Sequence, residues 1–420
     1  MKRFIFSFII FFFFINMHAQ EQSVLKLTPD QFEALFLKNN LQLIAGQMDI
    51  DIADAAVIQA KLWDNPELSI GSVNFWSTEK QRDGEDEKVQ FTAELSQLIQ
   101  TANKRGKLVR REKVAKEIAG KEFEELLRGL KTELRKSIYE TCYLQAYIRV
   151  LNIQAESLEQ LINTYRKQVR EGNIARSELL RLQSSLLEIE NEMNELHLAL
   201  NENQKTLKGL INADPLVRIE FENSDNRPVI PDNIPLAALL EQSPETRPDI
   251  KRQQLTTQYH EKSSAYEKSL RVPDLTLNAS YDRYGGVWKD FVGFGFSISL
   301  PFLNRNQGNI KATRFLSEQS RYLEEQQQKL ARNEILQAYD NYCRSYAFFT
   351  KISDDDFLSE LDLMLDIYAK NLLNKNISML EYIDFMDTYR SNKQIVLESG
   401  KNTKILLEEL QYVAATDLKP

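Results

Sequence analysis

The chain has 420 residues, with 53 basic against 61 acidic side chains and 42% hydrophobic residues. Its net charge of −8 argues against nucleic acid as a partner, and its two cysteines and three histidines form neither a CxxC pair nor a metal-ligand cluster. No internal run reaches the ~18–20 apolar residues of a membrane helix, so any crossing of a bilayer must be made by a β-barrel.

The N-terminus reads as an export signal. Lys2 and Arg3 precede the apolar run Phe4 to Ile15, and Met17-His18-Ala19 supplies a small residue before a cut ahead of Gln20. Residues 1–19 are therefore expected to leave on export, making the chain more acidic still. No cysteine follows the cut to take a lipid.

Residues 28–64 read as helix, opened by Thr28-Pro29-Asp30 and broken near Asn39-Asn40. Two strands are expected at about 66–76 and 88–97. Leu68 and Ile70, then Phe91, Ala93 and Leu95, alternate with polar neighbours around a charged loop, Thr78 to Lys88. From Asn103 to about Arg170 runs one helical pattern, roughly 100 Å long at 1.5 Å per residue. Its apolar seam (Leu126, Leu130, Leu134, Ile138, Leu151, Leu158, Leu161, Ile162) is narrow, as in a coiled coil. After a break at Gly172-Asn173-Ile174, a shorter helix returns to residue 211.

The same order then recurs. Residues 214–235, with Pro215, Pro228, Pro231 and Pro235, read as a linker. A helix near 249–269 is the counterpart of 40–64, and strands are expected at about 273–283 and 290–300. A second helical hairpin spans about 306–413, broken at Lys375-Asn376-Ile377. The domains are thus a first repeat, 20–213, and a second, 236–420. In the second strand pair, Leu275, Leu277, Ala279 and Tyr281 share a face with Val292, Phe294, Phe296 and Ile298, whereas the opposite face is Gly, Ser, Thr and Asn. Trp76, Tyr281, Tyr284 and Trp288 near the strand ends suit a lipid interface. Four strands cannot close a membrane barrel, and eight would need a filled interior, so three copies around a water-filled lumen are favoured.

The repeated unit, the Pro-led strands and the paired helix breaks together resemble the TolC-type outer-membrane efflux proteins over essentially the whole mature chain. The resemblance implies a mainly α fold with a membrane β-barrel: a homotrimer whose twelve-stranded barrel continues as an α-helical periplasmic tunnel. It also implies an outer-membrane location in contact with lipid, a periplasmic adaptor, and an inner-membrane pump, often of the resistance–nodulation–division type. No cofactor is implied. Carried across by position, the hairpin turns Gly172, Asn173, Ile174, Asn376 and Ile377 become adaptor-docking tips. Glu178, Glu381 and Asp384 become channel-gate residues, and three copies of Glu381 and Asp384 would ring one axis with carboxylates. For Glu178 and Glu381, helix capping is an equal alternative, because Ser378 to Glu381 fits a capping box.

Nothing in the chain suggests an enzyme. His197 and His260 stand alone on charged helices, and Cys142 and Cys343 read as core thiols with a helix-to-helix disulfide as the alternative. A protein-secretion exit duct and an exported coiled-coil adhesin remain the rival functions.

Overall fold

The computed structural model describes residues 24–73, 90–221, 229–285, 287–353 and 355–418. The export signal, Trp76, the charged loop from Thr78 to Lys88, and Pro228 lie outside these residues. The chain divides into two compact units that do not follow the sequence repeats. Residues 1–40, 134–226 and 355–401 form one; 41–133, 227–354 and 402–420 form the other.

The first unit opens with a strand that the sequence pattern did not reveal. β1 (Val24–Leu27) pairs in parallel with β4 (Arg218–Phe221), inside the segment read as a linker. Gln204 clamps the pair, donating to the Ile219 carbonyl at 2.6 Å and accepting from its amide at 2.9 Å. Helix α1 (Pro29–Asn39) starts in a capping box between Thr28 and Gln31 and buries Phe32 and Phe36 completely. It stops where expected, because the buried Asn40 turns to extended backbone and donates its side-chain amide to the Leu210 carbonyl at 2.8 Å.

The main core of this unit comes from four helices. They are α3 (Lys104–Arg170, of which residues 134–170 lie here), α4 (Arg176–Ile211), α8 (Asp355–Leu373) and α9 (Met379–Ala414). Leu151, Leu158, Leu161 and Ile162, all in the predicted seam, pack with Leu182, Ile189, Leu365, Tyr382 and Met386. Two buried tyrosines are satisfied by carboxylates: Tyr147 donates to Glu192 at 2.6 Å and Tyr389 to Asp362 at 2.9 Å.

The second unit holds α2 (Leu41–Lys61), the first half of α3, α5 (Leu236–Thr246), α6 (Pro248–Ser269) and α7 (Gln307–Ile352), with the end of α9. It also carries β2 (Glu67–Val73), β3 (Gln90–Ile99), β5 (Leu275–Arg283) and β6 (Asp290–Ile298). Gly46 permits close approach of α2 to α3, since a β-carbon there would sit 2.9 Å from the Leu126 side chain. At the start of α6, Arg247 pairs with Asp249 and with Glu334 of α7, each at 2.7 Å. Gln327 of α7 donates to the same Asp249 carboxylate at 2.7 Å.

Two further features differ from the sequence reading. The second long helix is interrupted at Ser353, giving α7 and α8 in place of one rod. The chain there reads Ser353-Asp354-Asp355-Asp356, residues that compete for backbone hydrogen bonds and favour a new helix start over a helix interior. Cys142 and Cys343 form no disulfide and are only half-buried, so they are neither bridged nor full core residues.

The Arg247–Asp249 pair makes a pH prediction. Burial alone would raise the Asp249 carboxyl, but the hydrogen bond and charge of Arg247, with Gln327, outweigh it and hold Asp249 below the usual carboxylate range. A depressed folded-state value stabilises the protein above about pH 4 and ceases to do so as pH falls through it. Acid titration followed by helical circular dichroism should therefore show a loss of stability below about pH 4 that Asp249→Asn lacks. Arg247→Ala, which strands a buried carboxylate, should cost about 3 kcal/mol at neutral pH.

Candidate channel sheet and helical tips

The four strands of the second unit form one antiparallel sheet in the order β2-β3-β5-β6. Register is continuous across it. Leu68 faces Leu95, Leu95 faces Ala279, and Ala279 faces Phe294. Directly opposed residues share a face, so one side gathers Leu68, Ile70, Leu95, Leu277, Val292 and Phe294. The other gathers Ser69, Gly71, Thr92, Ser96, Asn278, Ser280, Gly293 and Gly295, interrupted by Leu98 and Phe291. The apolar side is not a core face: Phe294 is 86% exposed, Phe296 71% and Ile70 66%.

β2 and β6 are the edges, and no further strand pairs with either among the described residues. Nor is any described helix long and apolar enough to cross a membrane. An exposed apolar face with two open edges is stable in neither water nor lipid until the edges are joined. At the ends leading to the long helices, β3 runs on to Ile99, past the expected residue 97, whereas β6 stops at Ile298 in place of residue 300.

The first unit carries two helical hairpin turns of the same construction. At the end of α3, the amides of Gly172 and Asn173 reach back to the carbonyls of Val169 and Gln168 at 3.2 and 2.9 Å. At the end of α8, the amides of Lys375 and Asn376 reach back to Leu372 and Asn371 at 3.1 and 2.9 Å. Both are Schellman closures with a left-handed residue, Gly172 at φ 78° and Lys375 at φ 59°. The asparagine that follows donates its side-chain amide to the residue five back, Asn173 to Gln168 at 2.9 Å and Asn376 to Asn371 at 3.2 Å.

The helices that leave these turns differ. α9 begins with a capping box, in which the Ser378 amide donates to Glu381 at 2.7 Å and the Glu381 amide to the Ser378 hydroxyl at 3.3 Å. The amide and hydroxyl of Ser378 keep the Glu381 carboxyl below its usual range, so it stays ionised into mild acid. α4 begins at Ala175, which offers no side-chain cap. Along α9, Met379, Tyr382, Met386 and Tyr389 turn inward, and Glu381, Asp384 and Asp387 are exposed. Burial pushes the Tyr382 phenol up to about 12, so it stays neutral behind this acidic face.

A family model described as "Outer membrane efflux protein" matches residues 34–213. The cobalt-zinc-cadmium resistance protein CzcC of Cupriavidus metallidurans is 22% identical over 68% of this chain, and the match spans 65% of that protein's length. The fold is shared with the Campylobacter jejuni CmeC outer membrane channel (TM-score 0.76, 15% identity, 93% of this chain and 86% of that one). It is shared also with the Vibrio cholerae outer membrane protein VceC (TM-score 0.72, 13% identity, 92% and 96%). Residues 34–213 thus match the outer-membrane efflux protein family, and the fold is that of the solved outer-membrane channels. The family match lies within the first repeat, and the shared fold extends over the second.

Against this fold the expected site residues separate into three settings. Gly172, Asn173 and Asn376 are exposed at the turns, whereas Ile174 and Ile377 are half-buried against the helical core and serve as anchors for the turns. Glu381 and Asp384 share the exposed face of α9, and Asp384 has no ion-pair partner among the described residues. Glu178 is placed differently. It is half-buried beside Tyr165 and lines a cleft of about 610 Å³ between the two turns, with Lys375 on the cleft wall. Sequence reasoning missed Asp387, the third carboxylate of the exposed α9 face, which accepts from Arg390 at 2.9 Å. The helical spacing 381, 384, 387 was the available signal.

The two left-handed positions should respond oppositely to substitution. Lys375→Gly relieves a side chain held at positive φ and is expected to stabilise the unit by about 1 kcal/mol, whereas Gly172→Ala should cost a similar amount. Thermal unfolding of the detergent-solubilised chain measures both, and equal shifts for the two variants would contradict the assignment.

Proposed function

We propose that three copies of this chain form the outer-membrane duct of a tripartite efflux system, passing metal cations or other small molecules outward. A periplasmic adaptor and an inner-membrane pump of the resistance–nodulation–division type would deliver them. One observation carries the reading: a four-stranded sheet with an exposed apolar face, a small polar face and two open edges. Three such sheets joined β6 to β2 give twelve strands, wide enough for a watery lumen. Unpartnered apolar helix faces support the same assembly. α2 exposes Leu41, Ile44, Met48 and Ile52, and α7 exposes Phe315, Tyr322 and Leu330.

Glu381 and Asp384 are the proposed gate carboxylates. In a trimer they would concentrate cations at a constriction, in keeping with the similarity to a protein named for cobalt, zinc and cadmium resistance. Glu178 is proposed to act from the cleft between the turns. The exposed Gly172, Asn173 and Asn376 would meet the adaptor, with Ile174 and Ile377 holding the tip in shape.

In planar bilayers the double variant Glu381→Ala/Asp384→Ala should lose cation preference by about an order of magnitude, because both free charges at the constriction are removed. Unchanged selectivity would remove these residues from the gate. In cells lacking the native gene, the unaltered chain should restore tolerance to cobalt, zinc or cadmium. Asn173→Arg/Asn376→Arg should fail to restore it while still migrating as a trimer. Full tolerance from that variant would show that the turns do not dock the adaptor.

A further inference from the structure

The two strand-to-helix junctions of the second unit are built alike but handle positive charge differently. In the first repeat three of the junction cations are engaged within the chain. Lys104 pairs with Asp274 at 2.7 Å, Arg105 stacks over Trp63 at 3.5 Å, and Arg111 pairs with Glu112 at 2.6 Å. In the second repeat Lys268, Arg271, Arg305, Lys311 and Arg314 converge on one cleft of about 840 Å³. All five side chains are exposed, and none has an acidic partner among the described residues. The carboxylate next to Lys268, that of Glu267, is taken by the Asn306 side-chain amide at 2.6 Å. Lys311 alone has a ring contact, with Phe315 at 5.9 Å, and such a concentration of positive charge without acidic partners, in a chain of net charge −8, calls for an anionic counterpart.

The cleft's position says which anion. Its wall continues directly from β6, whose outward residues Val292, Phe294, Phe296 and Ile298 form the lipid-facing row. Leu300 and Phe302 keep the same alternation past the strand end, 63% and 71% exposed, and Leu303 is 94% exposed. Apolar side chains at the end of a lipid-facing row, beside a cluster of Lys and Arg, match a lipid at its headgroup level: acyl chains against the former, phosphate against the latter. A soluble anion would have no use for the exposed Phe302 and Leu303.

We propose that this cleft is a binding site for the phosphate headgroup of an anionic phospholipid in the periplasmic leaflet of the outer membrane. Three sites per trimer would anchor the periplasmic rim of the barrel. The assignment rests on the membrane reading of the sheet given above, and its test is separable from that reading.

The full chain, purified as a trimer in neutral detergent, is titrated with phosphatidylglycerol, phosphatidylcholine and inorganic phosphate, with bound lipid read by native mass spectrometry. Two variants are compared with it, Arg305→Gln/Lys311→Gln/Arg314→Gln and Lys268→Gln/Arg271→Gln, all at exposed positions. Phosphatidylglycerol should bind the unaltered trimer at least about tenfold more tightly than phosphatidylcholine. Both variants should lose that preference while keeping trimer migration and bilayer conductance, and lysine at the three arginines should restore it. Undiminished preference in both variants would overturn the proposal. Competition by millimolar phosphate as strong as that of the lipid would overturn it too, by making the cleft a small-anion site. Trimers that fall apart in the variants whatever lipid is present would assign the cations to a neighbouring protomer instead. An unaltered chain that gives no conductance would count against the duct alone, since lipid preference is read in detergent without a current.

Discussion

Everything in the second unit follows from the rule that a backbone amide facing lipid must be hydrogen-bonded within the protein. A single chain offers four strands, each satisfied by its neighbours except along the outer rims of β2 and β6. Those rims cannot be left open in a membrane, so the sheet is a segment of something larger by physical necessity. The chain fixes how the segment meets its helices. At the β3–α3 turn, Ala102 and Asn103 take left-handed backbone, and the Thr101 amide and hydroxyl bond to Asp274 and Pro273 at 2.8 and 2.6 Å. The strand-to-helix corner of one repeat is thereby tied to the start of β5 in the other, so the two halves enter the sheet in a fixed register.

Duplication explains the shared construction, and divergence explains where charge remains free. Both hairpin turns close through the same pair of backbone bonds and the same asparagine bridge, although one uses glycine at the left-handed position and the other lysine. Backbone geometry is conserved between the repeats because it is dictated by the turn. Side chains are free to differ wherever they point outward, and there the second repeat has acquired both the acidic α9 face and the basic cleft.

The sequence was legible where a period ran long enough to be unambiguous. The α3 seam, the alternation in β5 and β6, and the paired helix breaks all rest on many residues, and each expectation for them is met by an element within a few residues of its predicted bounds. The parallel pair β1–β4 was not legible, because each strand is four residues long and its partner lies nearly two hundred residues away. What secures it is the Gln204 amide and the edge-on contact of Phe32 with Phe221 at 5.3 Å, neither of which leaves a local pattern. The break at Ser353 was carried in plain view by a serine and three aspartates, but periodicity on both sides outweighed it. At the hairpin turns the paired Gly/Asn breaks marked where the helices stop, but tertiary packing, which leaves no local pattern, turns Ile174 and Ile377 inward and sets Glu178 in a different environment from Glu381.

The same accounting separates charges that stabilise the fold from charges available for something else. Glu192, Asp362, Asp249 and Glu140 each meet a cation or a phenol, and their geometry is explained by the packing around them. Glu381 is half explained, since its cap on Ser378 uses one oxygen and leaves the other in solvent. Asp384 and the five cations of the junction cleft have no partner of opposite charge among the described residues, and of the five only Lys311 has a ring contact, with Phe315 at 5.9 Å. Free charge of opposite sign sits on different parts of the second repeat, whereas in the first Lys104 and Arg105 are engaged and Glu178 is half-buried. An exposed ion contributes little to folding, so retaining these while pairing their counterparts points to surroundings outside the chain as what they serve.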